Sequence, residues 1–275
     1  MDFSNRVAIE KPGRSKPNKR YFRVAVAAMI SAQETVGSYH ELLDYIAQHL
    51  GREIKLIQRK TYHEINELIG LGQIDLAFIC SGPYAYGRKR YRFEALAMPE
   101  VSGAPFYQAY LIVNRKSEYQ SLADLRGKVF AFTDPESNTG QLVPAYWLGQ
   151  KHERPEDYFS KIIYTHSHDN SILAVAMSLV DGAAVNSQIW EYYHQRNPMH
   201  TANTRVIRKS QSFGTPPVVV PVNMPKPLKD RIRLMLLNMH HDPRGREILD
   251  GMLIDRFTSP VEERYTPILG MMKNR

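Results

Sequence analysis

A single cysteine, Cys80, excludes an internal disulfide and leaves the redox compartment open. It lies in the apolar strand-like run Leu76–Cys80 and reads as a buried structural thiol. Apolar runs such as Leu76–Cys80 and Val218–Val222 are far shorter than the roughly 20 residues needed to span a bilayer. There is no P-loop lysine motif, nucleophile elbow or zinc-protease histidine pair. Gly70-Leu71-Gly72 lacks the rest of a dinucleotide fingerprint and precedes a strand instead of following one. His166 and His168 alternate as ligands on a strand do, but no second ligand pair accompanies them, nor does one accompany His240-His241-Asp242. Neither a metal nor a cofactor is expected, and the chain reads as a non-enzyme.

What is present is an ordinary apolar content of 43% over 275 residues, enough for two modest lobes. Basic residues outnumber acidic ones, 36 to 28, for a net charge of +8. Half of that excess sits in residues 1–20, where Arg6, Lys11, Arg14, Lys16, Lys19 and Arg20 oppose Asp2 and Glu10. This stretch lacks helical or strand periodicity and reads as a flexible basic arm. The mildly basic remainder suits an anionic ligand and gives little support to nucleic acid. Residues 1–20 also lack the apolar segment of a secretory signal. The expectation is therefore a periplasmic or extracytoplasmic protein whose signal was removed, or a cytoplasmic one.

The order of elements repeats. Phe22–Ala28, Ile54–Gln58 and Asp75–Cys80 read as strands, separated by helices. Ser38 and Glu41 have capping-box spacing before Leu42, Leu43, Ile46, Ala47 and Leu50, and Gly51 ends that helix. Thr61 and Glu64 have the same spacing before Ile65, Leu68 and Ile69. Lys128–Phe132, Lys161–His166 and Asp181–Val185 are strands again, with helices over Gly140–Gln150 and Ser171–Leu179. Both Phe22 to Asp75 and Lys128 to Asp181 are steps of 53 positions. Such alternation predicts an α/β fold of two lobes, each a mainly parallel sheet flanked by helices, with the ligand cleft between them. Residues 21–110 and 210–275 form lobe one and residues 111–209 lobe two. Asp242-Pro243 marks a helix start in the closing segment.

Asp134-Pro135-Glu136-Ser137-Asn138-Thr139-Gly140 leaves a strand and starts a helix, where free amides and the helix dipole favour an anion. Ser137, Asn138 and Thr139 can donate to that anion; equally, Ser137 or Thr139 can simply cap the helix. His168 precedes a helix and is either an oxyanion donor or, with Asp169, a turn residue. Tyr62, the loop Ser81-Gly82-Pro83-Tyr84, and Asn186 with Gln188 occupy strand ends or helix starts that face such a cleft. Each has packing as its plainer role.

The loop with its downstream Leu142-Val143-Pro144 resembles the phosphate/phosphonate-binding proteins of ABC importers, whose ligand loop commonly reads Asp-Pro-x-Ser-x-Ser/Thr-Gly before Leu-Val-Pro. His168-Asp169-Asn170-Ser171, Val180-Asp181-Gly182-Ala183, Tyr107–Asn114 and Ser121–Lys128 fit the same family, over roughly residues 21 to 255. The resemblance implies a type II periplasmic-binding-protein fold and a small phosphorus oxyanion held by Tyr62, Ser81, Gly82, Tyr84, Ser137, Asn138, Thr139, Gly140, His168, Asn186 and Gln188. It also implies an ABC permease as partner. Members that take aminoalkylphosphonates set acidic residues against the amine; here Gln188 and Thr215-Pro216-Pro217 stand near those places. Phosphate, phosphite or a neutral-tailed phosphonate is the expected ligand. A sensing domain of a receptor and a thiamine-pyrimidine synthase-like enzyme are the alternatives on this scaffold.

Overall fold

Two sheets, one built from each repeat, organise the chain. The computed structural model describes residues 21–273, so the predicted basic arm of residues 1–20 lies outside the described residues. The first repeat gives β1 (Phe22–Val26), α1 (Ala32–Leu50), β2 (Ile54–Ile57), α2 (Tyr62–Gly70), β3 (Leu76–Phe78), α3 (Ser81–Tyr91) and β4 (Phe93–Glu100). The chain crosses over through β5 (Phe106–Tyr107) and β6 (Ala109–Asn114). The second repeat follows as β7 (Val129–Phe132), α4 (Val143–Gly149), α5 (Pro155–Tyr158), β8 (Lys161–Tyr164), α6 (His168–Ala176), β9 (Gly182–Asn186) and α7 (Ser187–Arg196). The return runs through β10 (Thr204–Lys209) and β11 (Phe213–Gly214). It closes with β12 (Val218–Pro221), α8 (Lys226–Asn238), α9 (Pro243–Gly251), β13 (Arg256–Thr258) and α10 (Thr266–Lys273).

Lobe one holds the sheet β13-β4-β12-β3-β1-β2 and lobe two the sheet β10-β6-β9-β7-β8. In lobe one β1 to β4 share a direction and β12 and β13 oppose it; in lobe two only β6 is reversed. The two crossovers pair with each other, Phe213 with Tyr107 and Gly214 with Phe106, so a two-stranded ribbon joins the lobes.

One device recurs in both lobes. The Asp75 carboxylate accepts the Arg23 amide at 2.8 Å, and the Asp181 carboxylate accepts the Val129 amide at 2.8 Å. Each aspartate precedes a third strand and satisfies the start of the first strand, 52 positions before it in both lobes. On α1, Leu42, Ile46 and Leu50 are buried against β1 and β3, each burial stabilising by about 1.5–3 kcal/mol.

The Thr61–Glu64 capping box forms as expected, and Gly51 ends α1 in the left-handed conformation at φ +60°. The start of α1 differs from the Ser38 expectation: the helix begins at Ala32, after Ser31. A contact from the other lobe decides this, because the Ser31 amide donates to Asp169 at 2.9 Å. Ser81–Tyr84 is also not a loop but the first turn of α3, where Pro83 loses no intrahelical bond. Its sequence has no apolar stripe; Gly82 and Gly87 instead let the helix lie against its neighbours.

Candidate functional site

The loop after β7 enters α4 through a π turn at Asn138–Leu142, with the Leu142 amide donating to the Ser137 carbonyl at 2.9 Å. Ser137 caps this turn, its Oγ accepting the Gly140 amide at 3.0 Å. Gly140 is needed there because a Cβ would stand 2.2 Å from Thr133 Oγ1. Ser137, Asn138 and Thr139 are all fully buried. The loop thus does its capping and still retains unused polar atoms.

Lobe one closes over this turn. A Cβ on Gly82 would lie 2.6 Å from the Glu136 carbonyl oxygen, so only glycine allows the approach. The Tyr62 amide, at the start of α2, donates to Asp134 Oδ2 at 3.1 Å. Burial pushes the Asp134 carboxyl up to about 6, against the opposing pull of the Glu136 and Tyr62 amides. His63 Nδ1 meets Glu136 at 3.0 Å, and the Tyr86 hydroxyl donates to the Glu136 carbonyl at 3.0 Å. The His168 amide donates to the Met29 carbonyl at 2.9 Å, beside the Ser31–Asp169 bond. These bonds hold the lobes shut.

Four buried polar atoms at this junction lack a protein partner in hydrogen-bond geometry: Tyr62 Oη, Asn138 Oδ1, Thr139 Oγ1 and His168 Nε2. Their residues are neighbours. Tyr62 packs with Ala27, Met29 and Cys80, and the Ser137 hydroxyl lies beside its phenol. Burial pushes that phenol well above its usual range. Asn138 donates to the Tyr107 hydroxyl at 3.0 Å and leaves its other amide atom facing inward; a half-turn of the amide exchanges the two.

His168 is the most constrained of the four. Its Nδ1 accepts the Asn186 amide at 3.2 Å, so the ring proton resides on Nε2. Thr133 Oγ1 lies 3.2 Å from the same Nδ1. Burial pulls the imidazole down from 6.5 to about 3, which keeps it a neutral donor. Leaving such buried polar atoms unpaired costs about 1–3 kcal/mol each, so this cradle carries hydrogen-bonding capacity that the protein itself does not meet.

The other expected residues divide. Asn186 is held through its amide, and its side chain accepts the Gln188 amide at 2.8 Å. Gln188 Nε2 is buried without a partner. Ser81 Oγ lies 2.7 Å from the Tyr107 hydroxyl and 3.0 Å from the Gly214 carbonyl, so its single proton is already engaged. Tyr84 does not belong to this site: its hydroxyl bonds Glu262 and lies 3.3 Å from Arg88. Its ring sits in the core against Tyr265 at 4.7 Å, as helix α3 turns it away from the cleft. Sequence reasoning missed the roles of Asp134, Tyr107, Met29 and Ser31. The Asp-Pro pair was a visible signal for the first; the backbone contacts of the last two leave none.

Over residues 24–265 the sequence matches the family described as ABC transporter, phosphonate, periplasmic substrate-binding protein. The chain belongs to this family. A phosphonates-binding periplasmic protein of Escherichia coli K12 is 23% identical, over 94% of this chain and 77% of its own length. The binding-protein component of a phosphonate ABC transporter from Pseudomonas aeruginosa superposes with a TM-score of 0.86 at 23% identity, covering 93% of this chain and 86% of that one. PhnD1 of Prochlorococcus marinus, solved with methylphosphonate, gives 0.82 at 19% identity over 93% and 98% of the two chains. The shared fold is the two-lobed type II periplasmic binding protein.

Proposed function

We propose that this chain is the substrate-binding component of an ABC importer and takes phosphate, phosphite or a neutral-tailed phosphonate between its lobes. The observation that carries the reading is the cluster of buried, partnerless polar atoms around a histidine locked in its Nε2–H tautomer. Thr139, His168 and one hydroxyl of the adjacent Tyr62–Ser137 pair each offer a neutral donor, and the inward amide atom of Asn138 completes the set when it is nitrogen. The Ser137–Gly140 helix start adds a favourable dipole. Gly82 and Gly140 permit the close packing, and Asn186 orients His168. Ser81 is a support for Tyr107.

Binding without turnover is the reading that the family supports, with an ABC permease as the partner. Family membership supports transport over a sensor domain or a synthase-like enzyme. Relatives named as periplasmic support a place outside the cytoplasm and lend nothing to the cytoplasmic alternative. A thermal-shift screen of phosphorus, sulfur and carboxylate anions tests the proposal. Phosphorus oxyanions should raise the melting temperature most; a response confined to carboxylates would refute it.

A further inference from the structure

Next to the cradle lies a second space, a cavity of about 290 Å³ between the lobes. That is close to the lower end of the volumes that hold small organic ligands, and far more than a methyl group needs. Lobe one lines it with residues such as Phe78, Val218 and Met252, and lobe two with Ile189 from α7. The cavity reaches the cradle through the neighbours of its residues. Ala27 and Met29 line the cavity and also pack against Tyr62 and Cys80, while Asn186 lines it and orients His168. Gln188 faces the cavity with a buried, partnerless Nε2. The carboxylates on its walls are engaged: Glu191 accepts the Tyr110 hydroxyl, Asp250 pairs with Arg246, and Asp255 accepts the Gly103 amide.

We infer that this cavity houses the organic substituent of the ligand, and that the preferred substrate is a phosphonate bearing an uncharged apolar group of several carbons. The inference rests on the phosphorus-oxyanion reading of the cradle. The walls are mostly apolar, so covering them with hydrocarbon removes apolar surface from water on both partners. Each methylene buried in this way should tighten binding about fourfold.

Calorimetric titration of the full chain with methylphosphonate, n-butylphosphonate and phenylphosphonate tests this. Butyl- and phenylphosphonate should bind about tenfold or more tightly than methylphosphonate. Ile189→Trp, which fills the cavity from α7, should abolish that advantage, so that the three compounds bind with similar affinity. If methylphosphonate binds and the larger compounds bind no better in the unaltered protein, the tail assignment is overturned whatever the variant does. If no phosphorus compound binds, the oxyanion reading falls, and this inference falls with it.

Discussion

The backbone amide of Asn186 points at Nδ1 of His168, 3.2 Å away, and so decides which ring nitrogen faces the cradle. A nitrogen that accepts carries no proton, which leaves Nε2–H as the donor. The ring should therefore recognise an oxyanion by direction and not by charge.

Long-range proton–nitrogen NMR of the ligand-free protein should show a neutral Nε2–H imidazole from about pH 8 to about pH 5. The folded chain holds this group at about 3 against 6.5 for a free imidazole. The unfolded chain thus takes up the proton first, and stability drains away as pH falls through that interval. An imidazolium signal for His168 at about pH 6 in the free protein would contradict the burial argument.

Ser137 and Thr139 should separate in their effects. Ser137 caps a helix turn, so Ser137→Ala should cost about 1 kcal/mol of stability besides affinity. Thr139 Oγ1 has no partner, so Thr139→Val should leave stability unchanged or raised and still weaken ligand binding. The double alanine variant should lose about tenfold or more in affinity, at 1–3 kcal/mol per contact. Calorimetry on folded protein decides, and unchanged affinity removes the loop from the site.

Gly82→Ala should act on closure. The added methyl would sit 2.6 Å from the Glu136 carbonyl of the opposite lobe, while nothing within lobe one need unfold. Affinity should fall about tenfold with little change in melting temperature, because fewer molecules reach the closed form. Solution scattering should show compaction on adding ligand in the unaltered protein and less in the variant. Equal radii with and without ligand in both proteins would contradict a hinge at the Tyr107–Gly214 ribbon.

Much of the scaffold was legible because hydrophobic alternation and caps are local: the repeated strands, the Thr61–Glu64 box and the Asp242 cap all stand where the sequence places them. The start of α1 was not, since a carboxylate 138 positions away sets it. Helix α3 was hidden by glycines, a proline and a basic end without an apolar stripe. Among the candidate residues, Ser137, Asn138, Thr139 and His168 came forward because a helix start advertises itself. Tyr84 misled because its strand-end position does not reveal where the ring turns. Met29 and Ser31 act through their backbones, which side-chain chemistry does not disclose.

Methylphosphonate and phosphate should bind better than 2-aminoethylphosphonate. The carboxylate nearest the histidine, Asp169, is only 2% exposed and already accepts the Ser31 amide. The Thr215 hydroxyl is likewise engaged, donating to the Pro99 carbonyl at 2.7 Å. An ammonium would have to share carboxylates that already accept protein donors, so its desolvation would be only partly offset. Side-by-side titrations check this, and tighter binding of the aminoethyl compound would show Asp169 released to meet it.

The two bonds joining Met29 to His168 and Ser31 to Asp169 flank the same helix start that offers Nε2–H. Their consequence concerns time. Cargo enclosed by a shut cleft leaves no faster than the cleft parts, so its residence is the lifetime of those bonds and not the strength of any one contact to phosphorus. A membrane partner that seizes both lobes and pries them apart shortens that lifetime directly, and receives the cargo without having to compete for it.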